Sequence, residues 1–327
     1  MFRPLTKITF LAAGLLVSAG VSFGAALTNG DIFASVGPGL VNEFTPTGVL
    51  VQSLNTGHPV YTATGSAFSP TNGDFYVTGF GQNTVVRFSS ATGAKVSDFA
   101  TTDPNSDNES IAFDSTGNAY VGQADGTTHV LEFDSSGALI NTFAPATGPR
   151  GTDWIDLASD QHTLYYNSEG TTIRRFDTAT NTQLADFNVA PLPGSSAYAL
   201  RILGNGDVLV ADSENDYLLD PLGNIIQTYI LAGNTGNLFS LNLDPNGTSF
   251  WTGDLGNNNV WEVDIATGAI QEHWVASGTG QLAGLSIKGE ITAATTPEPS
   301  QLVMSIVLVG LLAMVGYWRK RKAAEIV

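Results

Sequence analysis

Short apolar runs rich in β-branched and aromatic residues recur along the chain, separated by turn-forming clusters, and no helical periodicity competes with them. A glycine or asparagine stands six residues before a large apolar residue in Gly48/Leu54, Gly93/Phe99, Gly137/Phe143, Asn181/Phe187, Gly223/Tyr229 and Gly268/Trp274, at successive spacings of 45, 44, 44, 42 and 45 residues. In phase with it runs a turn residue, a small polar residue and an apolar strand, as in Gly73-Asp74-Phe75-Tyr76-Val77 and Gly206-Asp207-Val208-Leu209-Val210. A third segment ends at Phe44, Phe88, Phe133, Phe176, Leu219 and Val263, and a fourth carries the anchors Phe68, Phe113, Leu157, Ile202, Leu243 and Ile287. Four strands per unit of about 44 residues predict an all-β, six-bladed β-propeller of four-stranded blades. The phase at the two ends predicts the closure. The N-terminal part supplies three strands from Gly30 onward and Leu282–Lys288 supplies the fourth, forming one composite blade that removes two exposed edges. Gly289-Glu290-Ile291 repeats the pattern of Gly30-Asp31-Ile32 and competes for the same pairing.

Both ends depart from this pattern. Arg3 and Lys7 precede an apolar stretch from Ile8 to Val21, and Gly24-Ala25-Ala26 offers small residues for cleavage, so residues 1–26 read as a signal peptide. Residues 302–318 carry no charge, nine of the seventeen are Leu, Ile or Val, and Arg319, Lys320, Arg321 and Lys322 follow as a membrane stop. At about 1.5 Å rise per residue this C-terminal transmembrane helix reaches roughly 25 Å, the short end of what spans a hydrocarbon core. The expected organisation is a signal peptide over 1–26, a propeller over 27–290, a linker over 291–296 and a tail over 297–327. Pro297-Glu298-Pro299, the apolar helix and the basic cluster together resemble the PEP-CTERM sorting signal of Gram-negative bacteria. That resemblance implies export across the inner membrane, anchoring by the helix, and processing by an exosortase that releases the body to the cell surface or beyond. It also associates the chain with exopolysaccharide and a biofilm matrix. Phrases such as Ile111-Ala112-Phe113-Asp114-Ser115-Thr116-Gly117-Asn118-Ala119-Tyr120-Val121 look like blades of NHL, SMP-30 and YncE-like propellers, a group that includes lactonases, lyases and binding scaffolds.

Composition narrows the partners. The chain has no cysteine, so the fold holds through burial and strand pairing. Arg3, Lys7 and the four tail cations are six of the 13 basic residues, and Glu298 and Glu325 are two of the 30 acids, which leaves 7 against 28 and a net −21 on the body. Such a surface repels nucleic acid and fits divalent cations or neutral glycans better.

Candidate chemistry is sparse. His-Glu-x-x-His, Gly-x-Ser-x-Gly and phosphate-loop patterns are missing from the sequence, and His58, His129, His162 and His273 share no blade position. Asp103, Asn105 and Asp107 place oxygen ligands at alternating positions and form the candidate Ca²⁺ loop, without the glycine and bidentate glutamate of an EF-hand. The acidic stretches Asp212–Asp216 and Asp254–Asn259 read as turns. The residue four before each first-strand anchor marks one channel mouth: Thr64, Glu109, Asp153, Tyr198, Phe239 and Ala283. Glu109, Asp153, Tyr198 and Phe239, with Trp154 and Arg201 beside them, form the candidate site for a sugar face or a cation. Trp251, Trp261 and Trp274 fall on repeat positions and are assigned to the core. The expectation is a noncatalytic binding protein that requires no cofactor. A metal-assisted lactonase or lyase and a protein-interaction scaffold are the alternatives.

Overall fold

The computed structural model describes residues 24–81, 83–102 and 107–291. Asp103 and Asn105, residues 1–23 and the whole expected sorting tail, including helix 302–318, lie outside the described residues. Blade 1 begins with β1 (Ile32–Ser35), β2 (Leu40–Phe44) and β3 (Leu50–Asn55). Blade 2 holds β4 (Thr62–Phe68), β5 (Phe75–Phe80), β6 (Thr84–Phe88) and β7 (Lys95–Thr101), and blade 3 holds β8 (Asp107–Phe113), β9 (Ala119–Asp125), β10 (Val130–Phe133) and β11 (Leu139–Phe143). Blade 4 holds β12 (Trp154–Leu157), β13 (Thr163–Asn167), β14 (Arg174–Asp177) and β15 (Thr182–Gln183), and blade 5 holds β16 (Ala197–Ile202), β17 (Val208–Asp212), β18 (Asp216–Leu219) and β19 (Ile225–Tyr229). Blade 6 holds β20 (Leu238–Leu243), β21 (Ser249–Asp254), β22 (Asn259–Asp264) and β23 (Ile270–Val275), before β24 (Gly284–Ile287).

Six four-stranded antiparallel sheets result, and β24 joins β1 as the innermost strand of blade 1. The register runs from Ile32 opposite Ile287 to Ser35 opposite Gly284, so one C-terminal and three N-terminal strands close the ring as the phase predicts. Lys288 donates its amide to Asp31 O and accepts from Gly30 N, extending the seal by one step. Gly289-Glu290 does not compete for this pairing. It turns away, and the Glu290 amide bonds back to Ile287 O.

The repeating glycine has a conformational cause. Gly48, Gly93, Gly137, Gly223 and Gly268 have φ between 65° and 87°, and Asn181 has φ 52°. Each hairpin into a fourth strand needs a left-handed residue, which glycine and then asparagine adopt most cheaply. Blade 4 departs from the repeat after that turn, because β15 is only two residues long and Phe187 lies in no strand. Side chains take over the ladder there: Gln183 Nε2 donates to Arg175 O and Arg175 Nε donates to Ala185 O. Phe187 still donates its amide to Ile173 O and stays buried.

An apolar cluster fills every seam between neighbouring blades. Trp251 and Trp261 are fully buried and Trp274 packs partly buried against Phe44 and Trp251, as their repeat positions imply. Gly24–Ala26, at the expected cleavage site, lie on blade 1, where Gln52 bonds both the amide and the carbonyl of Ala25.

Candidate functional site: two mouths of one channel

The first strands β4, β8, β12, β16, β20 and β24 form a closed ring around the axis. Their N-terminal ends frame a strand-start mouth and their C-terminal ends a strand-end mouth.

The strand-start mouth holds the predicted ring. Glu109 in β8 and Asp153 just before β12 are buried at 4% and 0% exposure, and their carboxyl groups act directly on each other. Both Asp153 oxygens lack a conventional donor. Two facing carboxylates are both acceptors, so only a shared proton or a cation joins them. Burial pushes Asp153 up to about 7, with Glu169 adding to the rise. Burial and then Asp153 raise Glu109 well above the usual range. Arg150 is the local counter-charge. Its Nη2 lies 2.8 Å from Asp125 and 3.9 Å from Glu109, its Nη1 lies 3.5 Å from Glu169, and its guanidinium sits 5.3 Å over the Phe80 ring.

Beneath this pair, Trp154 meets Phe239 edge-on at 5.5 Å and Tyr198 lies 4.9 Å from Phe239. Trp154 and Phe239 come from blades 4 and 6, so the contact reaches past blade 5 and packs the channel with aromatic rings. Trp154 is 3% exposed, and its Nε1 has no hydrogen-bond partner. It is core, not a binding platform. Thr64 is likewise spent, its Oγ1 donating to Asn108 O. Asp107 begins β8 opposite Asp125, where like charges face each other. Among the described residues no group of three or more His, Asp or Glu side chains is arranged to hold a metal. Glu109 and the unpartnered Asp153 are the two oxygen donors best able to hold one.

Arg201 belongs elsewhere. It lies three residues beyond Tyr198, which carries it about 10 Å along the strand and to the opposite face. There it joins a largely buried trio at the strand-end mouth: Arg201 Nε donates to Glu290 Oε1 at 2.8 Å and Nη1 donates to Leu200 O. Glu290 Oε1 also accepts the Leu243 amide, while Asp156 accepts the Ile202 amide at 2.8 Å and its neighbour Leu157's at 2.9 Å. Burial raises both carboxyl groups, and the Arg201 guanidinium offsets part of that rise. The trio floors a cavity of about 270 Å³ walled by Phe68, Ile111, Phe113 and Ile287, with Ala67 and Ala112 between them.

A sequence signal for this site exists. Asp156 and Arg201 each stand one residue before a first-strand anchor, where blades 2 and 3 carry Ala67 and Ala112. Opposite charges at one repeat position of adjacent blades mark an electrostatic contact across the seam, and the bond that crosses it runs from the Ile202 amide to Asp156. Glu290, in the segment after the last strand, has no repeat partner to flag it.

No protein-family model and no curated protein sequence matches this chain. Solved structures share the fold. A chain of the nidogen/laminin complex superposes with a TM-score of 0.63 at 15% identity, covering 79% of this chain and 98% of that one. A Bacteroides caccae protein of unknown function gives 0.59 at 14% identity with the same two coverages, 79% and 98%. Virginiamycin B lyase from Staphylococcus aureus gives 0.50 at 10% identity, covering 65% of this chain and 69% of that one. At these identities the likeness shows the β-propeller fold and nothing finer.

Proposed function

We propose that the protein is an exported, noncatalytic binding propeller of the cell envelope, and that its ligand sits in the strand-end cavity. Export and exosortase processing rest on the signal-like N-terminus and the PEP-CTERM-like tail. The observation that carries the binding site is a preformed cavity whose charges are already committed to internal partners. Arg201, Asp156 and Glu290 bond to one another's strands and backbone, and Lys288 on the same lining makes two cations against two carboxyls, so the floor offers little net field to a charged ligand. Among the described hydrogen bonds, Arg201 Nη2 and Glu290 Oε2 are the polar atoms of the trio with no partner. A neutral ring with an apolar face and a hydroxyl edge matches these walls and handles, which is the chemistry of a pyranose in an envelope polysaccharide. At about 270 Å³ the cavity suits one terminal or branching unit.

The test titrates the full chain, in detergent micelles, with oligosaccharides from the polysaccharide of the producing cell. Ala67→Trp fills the cavity and is expected to weaken binding at least tenfold while the melting temperature stays near that of the wild type. Unchanged binding by a folded Ala67→Trp protein refutes the assignment.

A second reading is a metal-assisted hydrolase or lyase at the strand-start mouth, favoured by the unpartnered Asp153 carboxylate beside Glu109. Its signature is a divalent-metal-dependent turnover abolished by Glu109→Gln and untouched by Ala67→Trp.

A further inference from the structure

Five of the six seams between blades obey one rule, and the sixth breaks it. The residue three before each third-strand anchor faces a residue in the second strand of the next blade. The facing pairs are Val41 with Val77, Val85 with Val121, Val130 with Tyr166, Ile173 with Val210, and Val260 with Ala34, and each pair belongs to one buried apolar cluster. At the seam between blades 5 and 6 the same two positions are Asp216 and Thr252, both at 0% exposure. Leu218, Tyr229, Leu238 and Phe250 make up the apolar surroundings in that seam. A carboxyl group has been placed where five blades use a β-branched hydrocarbon.

Its partners do not neutralise it. Neither Asp216 oxygen has an aligned hydrogen bond, and neither does Thr252 Oγ1, although Thr252 is close enough to act on the carboxyl. From the same blade, Ala211 on β17 and Tyr229 on β19 pair with Asp216 through the backbone, and the Tyr229 hydroxyl is committed to Ile265 O. Among the described residues the one other charged group acting on it is Asp212, which repels it. No Lys or Arg among the described residues contributes. An ionised carboxylate here carries a desolvation cost that a hydrogen bond from the Thr252 hydroxyl offsets only in part, whereas a protonated one escapes that cost and keeps a bond to the same hydroxyl.

We propose that Asp216 makes the seam between blades 5 and 6 a pH-dependent latch, shut when its carboxyl group is protonated and loosened when a buried charge forms there. Burial holds the group well above the usual carboxylate range. The sign follows from linkage. Below the ordinary value of 3.8 both folded and unfolded chains hold the proton and no penalty exists. As pH rises from there toward the native value, only the folded chain keeps the proton, so stability falls; above the native value the full penalty remains. The same seam is bridged at its other end by Glu290, which bonds Arg201 of blade 5 and Leu243 of blade 6.

The experiment compares the wild-type full chain with Asp216→Val and Asp216→Asn in micelles at about pH 4.5 and about pH 8. Asp216→Val restores the residue type of the other seams. It is expected to raise the melting temperature by roughly 4 °C or more at the higher pH and by much less at the lower. Asp216→Asn, which keeps shape without titrating, is expected to remove the extra loss of stability that the wild type shows on going to high pH. Amide exchange in β18 and β21, corrected for its intrinsic pH dependence, should quicken roughly tenfold at high pH in the wild type alone. A gap between wild type and Asp216→Asn that is the same at both pH values overturns the latch, and Asp216→Asn decides the matter even if Asp216→Val fails to fold.

Discussion

The two mouths of the channel solve the same problem, buried carboxylates close to the axis, in opposite ways. At the strand-end mouth Asp156 and Glu290 receive backbone amides from neighbouring blades, and Arg201 lies between them. At the strand-start mouth Glu109 and Asp153 face each other, and Arg150 is drawn outward to Asp125 and Glu169. The first arrangement is satisfied by internal bonds and leaves an apolar-walled space above it. The second stores electrostatic strain and is packed from beneath by Trp154 and Phe239. A binding seat needs a fixed floor and room, and the strand-end mouth has both.

The largest effect expected from breaking this contrast is at Glu290. Glu290→Ala strands the buried Arg201 charge and frees the Leu243 amide, which should cost roughly 3–5 kcal/mol in denaturant unfolding. Replacing Arg201 and Glu290 together by Met should recover most of that loss. If the single substitution costs no more than an exposed ion pair, the trio is not a fixed floor.

Asp153→Asn should act in the other direction. Its folded value near 7 lies above the unfolded one, so the wild type loses stability as pH rises from about 4 through about 7. The substitution should stabilise by about 1–3 kcal/mol at about pH 8 and by little at about pH 4. A loss of stability at both pH values would mean that the carboxylate is held by a cation, and would favour the metal-assisted reading of that mouth.

A smaller effect separates either mouth from the outer surface. Asp98 lies within reach of Lys95 at 2.6 Å and His58 at 3.1 Å, but its side chain is 47% exposed. Asp98→Ala should shift unfolding by less than about 1 kcal/mol, and the shift should shrink further in salt.

The repeat made the fold legible. Turn residues, strand anchors and the phase at the two ends are local signals repeated six times, so errors in any one unit are corrected by the others. Blade 4 shows the limit, since the Asn181–Phe187 spacing is kept although the intervening strand shrinks to two residues and side-chain bonds from Gln183 and Arg175 continue it. The ring of Glu109, Asp153, Tyr198 and Phe239 was legible as a register position, because one residue per strand repeats around the axis. The mouth to which each neighbour points was not. Arg201 is close to Tyr198 in sequence, but alternation along a strand and a few residues of rise send it to the far end. Glu290 and the Asp216–Thr252 pair share a different cause. Each is an exception to the repeat, visible only when the six units are laid on one another and the odd residue is weighed by what it must face.

The most direct test of the central claim is an amide-exchange footprint of the full chain with saturating oligosaccharide from the producing cell's polysaccharide. Protection of Ala67–Ser69, Ile111–Phe113 and Ile287–Glu290, with none at Arg150–Asp153 or Glu169, is the predicted result. Protection confined to the strand-start mouth would contradict it.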